Sequence, residues 1–326
     1  MNASLILSNN FRKKLQVLVR TYSCRVNVIG APISSGQPKK GTEKGPQSIR
    51  STGFIEKLKE KGWSVTDSGD LDFPTLSTSS FNGVKNAEHV STSCHKISDF
   101  VSCSVREYDR TIVLGGDHSL GIGSVSGHAL SNPELCVIWI DAHPDIHTTH
   151  SSQSGNMHGM PLSFLIREMT GKKSTLPSSL FSWIKGSVSA SSVAFIGIRD
   201  ADEAENKFIQ SLSISCFSSD DVMKLGGKEV ISRVLDKINP GLKKPIHISF
   251  DIDSLDPKYA SSTGTPVEKG IPLHDALEMG RVVCDSNMLS ILDVVEVNPL
   301  IGDPEQVATT CNSAYQVIQS FIGELK

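Results

Sequence analysis

Six side chains in this sequence are suited to holding metal: His118, Asp141, His143, Asp145, Asp251 and Asp253. They fall in GGDHS (115–119), DAHPDIH (141–147) and SFDIDSLDP (249–257), and two related clusters follow the same style, NMHG (156–159) and VEVNP (295–299). Each of the five clusters is expected just after a hydrophobic strand. Four carboxylates and two imidazoles without a thiolate suit Mn²⁺, Fe²⁺, Co²⁺ or Mg²⁺ better than a structural zinc site. Gathered in one buried place, that much negative charge requires cations. Asp141, His143 and Asp145 alternate, as do Asp251 and Asp253, and an extended segment puts such residues on one side. Six protein ligands are too many for one ion that keeps a position open for water. Two ions about 3.5–4 Å apart, sharing bridging carboxylates, would use them all and activate a water at neutral pH. Taken singly, each aspartate is an ordinary turn or cap residue. Five clusters in one register argue for a site.

The elements that must position these residues are legible as short β-branched runs: TIVLGG (111–116), CVIWID (136–141), IHISFD (246–251) and ILDVVEV (291–297). Runs of this kind read as buried strands of a parallel sheet, and ligands bind beyond the carboxyl ends of such strands. Further strands are expected at RVNVIG (25–30), before GDLDF (69–73), at SVAFIGIRDAD (192–202) and at ISCF (214–217). Helices are expected near 46–62, 86–107, 219–238 and 304–324, with a surface loop over 74–85. No linker divides two cores, so one doubly wound α/β domain is the economical reading.

Charged residues make up 21% of the 326 and hydrophobic ones 38%, which gives ample material for a core. A net charge of −3 gives no sign of nucleic-acid binding, and no run approaches the ~18 apolar residues of a membrane span. Seven cysteines without a C-x-x-C pair read as free thiols of a reducing compartment. Residues 1–42 carry Arg12, Lys13, Lys14, Arg20, Arg25, Lys39 and Lys40 and no acid. Residues 1–24 therefore read as a mitochondrial transit peptide, or as a basic arm of a cytoplasmic protein.

The motifs GAPISSGQPKKGTEKGP, GGDHSLGIGSVSGHA, DAHPDI, SGNMHGMPLSFL, IGIRDAD, FDIDSLDP, TGTP and EVNP follow one another in this order. The series resembles the arginases of the ureohydrolase superfamily over about residues 25–325, and with its basic extension it resembles the mitochondrial form. The resemblance implies a single three-layer α/β/α domain over 25–326 with an eight-stranded parallel sheet. It implies two Mn²⁺ per subunit and a homotrimer. The activity it implies is hydrolysis of L-arginine to L-ornithine and urea, by attack of a metal-bridging hydroxide on the guanidinium carbon. Carried over by position, His118, Asp141, Asp145 and Asp253 are ligands of one manganese. Asp141, His143, Asp251 and Asp253 are ligands of the other, with Asp141 and Asp253 bridging. Asp145 also orients the hydroxide. Glu296 clamps the guanidinium, Thr265 adds a contact in that pocket, and His158 shuttles a proton to the leaving amine. Ser154, Asn156 and Asp202 match contacts around the α-carboxylate and α-amino group. His128 reads as a satisfied structural histidine, and Asp256 as support for the FDID turn.

Two departures from the family pattern stand out. The loop after DAHPD usually continues with an asparagine that contacts the α-carboxylate and with Thr-Pro; here His147 replaces the asparagine and Thr149 the proline. His147 can still donate a hydrogen bond. The family's Arg-Glu after TGTP is His274-Asp275 here, and the sequence stops at Lys326, so a weakened trimer is expected. Two other readings are a ureohydrolase of related specificity (an agmatinase or guanidino-acid hydrolase) and a non-catalytic relative. The second usually shows lost metal ligands, and none is lost here.

Overall fold

The computed structural model describes residues 24–74, 76–170 and 175–324. The expected leader, residues 1–24, lies outside the described residues except for Cys24. Ten strands follow one another: β1 (Arg25–Ala31), β2 (Ser64–Asp70), β3 (Ser80–Phe81), β4 (Val84–Lys85), β5 (Arg110–Gly115), β6 (Cys136–Ile140), β7 (Val193–Ile198), β8 (Ser215–Ser218), β9 (Ile246–Asp251) and β10 (Leu289–Val295). Eight of them form one sheet in the order β2-β1-β5-β10-β9-β6-β7-β8, every pairing parallel. β3 and β4 make a small antiparallel hairpin inside the expected surface loop.

Strand alternation explains the layers. Val26, Val28, Ile248 and Phe250 point into one core, which helices Gly227–Ile238, Leu273–Asp285 and Pro304–Ile322 cover. Ile29, Ala31 and Val113 point the other way, onto helix Ala87–Glu107. That helix is amphipathic, with Val90, Cys94, Ile97 and Val101 buried at helical spacing. A third cluster, with Trp139 and Phe195, packs under Leu162 and Leu165. Burial on both faces is why the strands read as continuous apolar runs.

Two expected helices are each divided. The 46–62 segment forms Gly45–Arg50 and Phe54–Glu60, parted at Gly53 with φ 73°. The 219–238 segment forms Ser219–Leu225 and Gly227–Ile238, parted at Gly226 with φ 85°. A left-handed residue ends a helical run, and only glycine takes it without strain.

Candidate binuclear metal centre

The site lies at the carboxyl ends of β5, β10, β9, β6 and β7, five neighbours in the sheet. One expectation fails here: NMHG does not follow a strand. It belongs to the long loop after β6, with Met157–Gly159 forming a single 3₁₀ turn. A hydrogen bond from His158 N to Gly36 O (3.0 Å) returns the loop to the site.

After β5 the chain turns into the 3₁₀ segment His118–Leu120. Asp117 caps it, accepting from Ser119 N at 2.9 Å and from Gly36 N at 2.8 Å. Asp117 is thus a positioning group for His118. The His118 ring stacks on Trp139, with centroids 3.9 Å apart and 8° between planes. Trp139 Nε1 also donates to Asp141 Oδ2 at 3.0 Å. His118 Nε2 and Ser249 Oγ are 2.9 Å apart, and Ser249 in turn donates to Asp293 Oδ2 at 3.4 Å. With its one proton given to Asp293, Ser249 accepts from the imidazole. The His118 Nδ1 lone pair then faces the centre.

That nitrogen tests the fit of a metal. It is fully buried, with Asp141 Oδ2, Asp145 Oδ2 and Asp251 Oδ2 at 2.9, 3.1 and 3.1 Å. These distances suit ion pairs, yet none of the oxygens meets the direction a hydrogen bond requires. A nitrogen surrounded by three carboxylate oxygens but bonded to none matches a ligand converging on a shared cation. A second group repeats the pattern: His143 Nδ1 lies 3.4 Å from Asp141 Oδ1 and 3.3 Å from Asp253 Oδ2. The two triads, His118–Asp141–Asp251 and Asp141–His143–Asp253, share Asp141.

The geometry groups these side chains otherwise than expected. Asp251, not Asp253, sits with His118, and Asp253 sits with His143. The premise of an extended segment fails, because the chain enters a 3₁₀ turn at Ile252–Ser254. Asp251 Oδ1 accepts from Asp253 N at 2.8 Å, and the turn carries Asp253 toward β6. Asp145 likewise reaches the centre through a left-handed backbone, φ 50°, rather than by strand alternation.

The electrostatics carry the same message. Burial and the Asp141 charge push Asp145 up to about 6. Burial and the charges of Asp253 and Asp141 push Asp251 well above the usual carboxylate range. Burial disfavours charge on His143, but Asp253 and Asp141 pull its pKa far up. Packed acids that need protons between them are acids a cation would relieve.

Glu296 follows β10 with φ 63° and is buried. Its Oε1 accepts from His118 N at 2.9 Å and lies 3.2 Å from His158 Nδ1. Burial lowers the His158 pKa, but the Glu296 hydrogen bond and charge outweigh it and set the value at about 9. Two expected substrate contacts are engaged elsewhere. Thr265 Oγ1 donates to Asp253 Oδ2 at 2.9 Å, so it supports a candidate metal ligand. His147, expected to donate to a carboxylate, instead faces two acids: its Nε2 lies 3.4 Å from Asp202 Oδ2 and 3.7 Å from Glu205 Oε2. Burial lowers its pKa, against the pull of Asp202.

Ser154 and Asn156 do come together, with Asn156 N donating to Ser154 Oγ at 3.2 Å. Lys85 on β4 adds a cation there, its Nζ 3.2 Å from Asn156 Oδ1. Among the supporting residues, Asp256 accepts from Gly270 N, and Arg199 donates to the carbonyls of Asp253, Leu255 and Val267. His128 is buried with its Nδ1 3.3 Å from His247 Nδ1, but its Nε2 has no hydrogen-bond partner among the described residues, so it is only half satisfied. His274 is exposed, 3.4 Å from Asp275, and Asp275 is committed to Gly227 N at 2.8 Å.

Reading along the chain missed Trp139, Ser249, Asp293, Lys85 and Glu205 as parts of the site. Trp139 alone carried a signal, a polar-tipped aromatic two residues before Asp141 in an otherwise aliphatic strand.

A parallel eight-stranded sheet with two carboxylate–imidazole triads across its central strand ends defines an α/β protein with a candidate two-metal site. The model of the arginase family matches residues 24–323. Rat Arginase-1 is 42% identical over 300 residues, covering 91% of this chain and 92% of that protein. Human mitochondrial Arginase-2 is 40% identical over 323 residues, covering 98% and 91%. The crystal structure of Entamoeba histolytica arginase in complex with L-ornithine superposes with a TM-score of 0.81 at 32% identity, covering 92% of this chain and 99% of that one. The chain belongs to the arginase family and is a hydrolase of the ureohydrolase type.

Proposed function

We propose that the chain hydrolyses L-arginine to L-ornithine and urea with two Mn²⁺ in the two triads. The observation that carries this is the buried Glu296 carboxylate beside both His118 and His158, adjoining triads that share Asp141. A guanidinium is planar, cationic and resonance-stabilised, and neutral water does not attack it. When bound, the two ions supply a water whose pKa lies near neutrality.

The chain's own residues do the rest. Glu296 holds the guanidinium by charge-assisted hydrogen bonds through Oε2, since Oε1 serves His118 and His158. Asp145 stands beside the triads with a raised pKa, placed to accept a hydrogen bond from the nucleophile. His158, protonated below about 9, gives its proton to the leaving amine. At the far end Asp202 and Glu205 receive the α-ammonium. Ser154, Asn156 and Lys85 receive the α-carboxylate, while His147 serves the acids more than the carboxylate.

The test is a substrate panel on Mn²⁺-loaded protein, scored by urea release. Arginine should be the best substrate; faster release from agmatine at equal subsaturating concentration would make the chain an agmatinase. The domain over 25–326 is read as preceded by a mitochondrial leader, which the acid-free basic composition of residues 1–42 supports. Assembly is read as a homotrimer weaker than the family norm, because exposed His274 offers a weaker ion pair than arginine. Sedimentation between pH 5.5 and 8.5 tests it, and a concentration-independent trimer throughout would sink it.

A further inference from the structure

We propose that His147, Asp202 and Glu205 form a separate inhibitory site for a borderline divalent cation, with Zn²⁺ the best fit, at the mouth of the substrate pocket. Each offers one ligand atom, and these lie within 4.8 Å of one another. The contacts from His147 Nε2, 3.4 Å to Asp202 Oδ2 and 3.7 Å to Glu205 Oε2, are ion-pair distances longer than an ordinary N–H···O bond. They match the edge between two ligands of a tetrahedral ion, about 3.4 Å when each bond is about 2.1 Å. One imidazole and two carboxylates with a fourth position open is a donor set zinc accepts.

The support around the site is in place. Asp202 and Glu205 are N-cap and third residue of helix Glu203–Ser211. They are fixed by a reciprocal capping box, Glu205 N to Asp202 Oδ1 at 2.9 Å and Asp202 N to Glu205 Oε2 at 3.2 Å. Capping explains two acids at a helix start. It does not explain an imidazole aimed between them. With its proton on Nδ1, 3.0 Å from Ser151 Oγ, His147 turns its Nε2 lone pair to the carboxylates. Metal-binding histidines are held by this kind of second hydrogen bond. Without a cation that lone pair faces two carboxyl groups. The side chains also grade outward, Glu205 at 8% exposure, His147 at 17% and Asp202 at 42%, so an ion can enter from solvent. His147 supplies the imidazole ligand, which an asparagine at that position would remove.

An ion on Asp202 and Glu205 takes the groups that would receive the α-ammonium. It therefore competes with substrate; that consequence rests on the arginine reading, whereas the binding does not. The experiment uses full-length protein loaded with Mn²⁺ and freed of excess metal. Zn²⁺ is titrated in with elemental analysis of both metals, and Co²⁺ is used in parallel for its tetrahedral visible spectrum. One Zn²⁺ should be taken up with both Mn²⁺ retained. Its affinity should fall at least about 100-fold in His147→Asn and Glu205→Gln, variants checked for retained Mn²⁺ and native circular dichroism. Zinc uptake only in exchange for Mn²⁺, or uptake unchanged in both variants, overturns the site. Inhibition by Zn²⁺ should be competitive with arginine, and a pattern that arginine cannot relieve overturns the competition. A third ion bound by protein that does not hydrolyse arginine would uphold the site and remove the proposed substrate instead.

Discussion

His158 Nδ1 lies 3.2 Å from Glu296 Oε1, which joins the expected proton donor to the expected guanidinium clamp. Burial would discharge the imidazole, but the Glu296 carboxylate holds its pKa at about 9. Cations in the centre add positive charge nearby and bring this down. The proton is therefore present at neutral pH and lost as pH rises, so kcat/KM should fall along an alkaline limb at or below about pH 9. His158→Ala should lower kcat by about 10²–10⁴-fold with little change in KM and should erase that limb. An unaltered pH–rate profile in the variant would leave His158 a structural residue only.

Sharing of Asp141 by the two triads makes the metal stoichiometry of variants unequal. Asp141→Ala should bind neither ion tightly and lose urea release altogether. Asp253→Ala should keep the His118–Asp141–Asp251 ion and lose the other. Elemental analysis after gel filtration reads this directly, and two ions retained in Asp253→Ala would refute the grouping.

Ser249 and Asp293 fix the His118 tautomer from behind, through contacts of 2.9 and 3.4 Å. Asp293 Oδ2 also meets Ser124 Oγ at 2.5 Å and His247 Nε2 at 2.9 Å, so the arrangement is anchored on both sides. Partners of this kind typically contribute 10–100-fold to metal affinity. Ser249→Ala should weaken the ion of the His118 triad by about that factor while the His143 ion is unchanged. Equal weakening of both would mean general loosening.

The strand ends were legible because β-branched runs stop where chemistry-bearing residues begin, and both features are local. The partition of ligands was not. It depends on the chain turning at Ile252 and on Asp145 taking φ 50°, and a reading that assumes extended alternation sees neither. Ser249 and Asp293 face each other only because β9 and β10 pair in a register that brings them level. Glu205 looks in sequence like an ordinary capping-box residue. It is buried beside His147, and burial with the charges of Asp145 and Asp202 pushes its carboxyl up to about 8. Lys85 sits in a two-residue strand within a stretch that reads as loop. Each miss is a long-range relationship, set by packing rather than by spacing.

Away from the centre, Arg50 Nε and NH2 each donate to Asp67 at 2.9 Å, and Arg50 also pairs with Asp70. Burial raises the Asp67 pKa, but the Arg50 hydrogen bonds outweigh it and hold the value below the ordinary 3.8. A carboxylate with a depressed folded pKa stabilises the protein above its unfolded value. Its contribution is full above about pH 5 and is lost as pH falls through the folded value. With Asp67 nearly one-third exposed, solvent keeps the effect below about 1 kcal/mol. Asp67→Asn should lower Tm slightly at pH 7 and by progressively less as pH falls below about 4; an equal loss at every pH would place the effect in packing.

Discrimination between arginine and agmatine must arise at the carboxylate end, because both carry the guanidinium and a terminal ammonium. Glu296, Asp202 and Glu205 therefore cannot separate them. Ser154, Asn156 and Lys85 can. Sites that bury polar groups for a missing partner reject the analogue by about 10⁴–10⁵-fold, since the groups are left unpaired. Ser154 and Lys85 are exposed, however, and return to water when agmatine binds. The penalty is smaller, and arginine should be preferred by about 10²–10³-fold in kcat/KM rather than by the full factor. Lys85→Ala should raise KM for arginine about tenfold, the loss of one charge-assisted contact, and leave agmatine unchanged. His147→Asn should lower KM for arginine by restoring a carboxylate donor, again without effect on agmatine. If Lys85→Ala weakens both substrates equally, the lysine acts on the loop and not on the carboxylate.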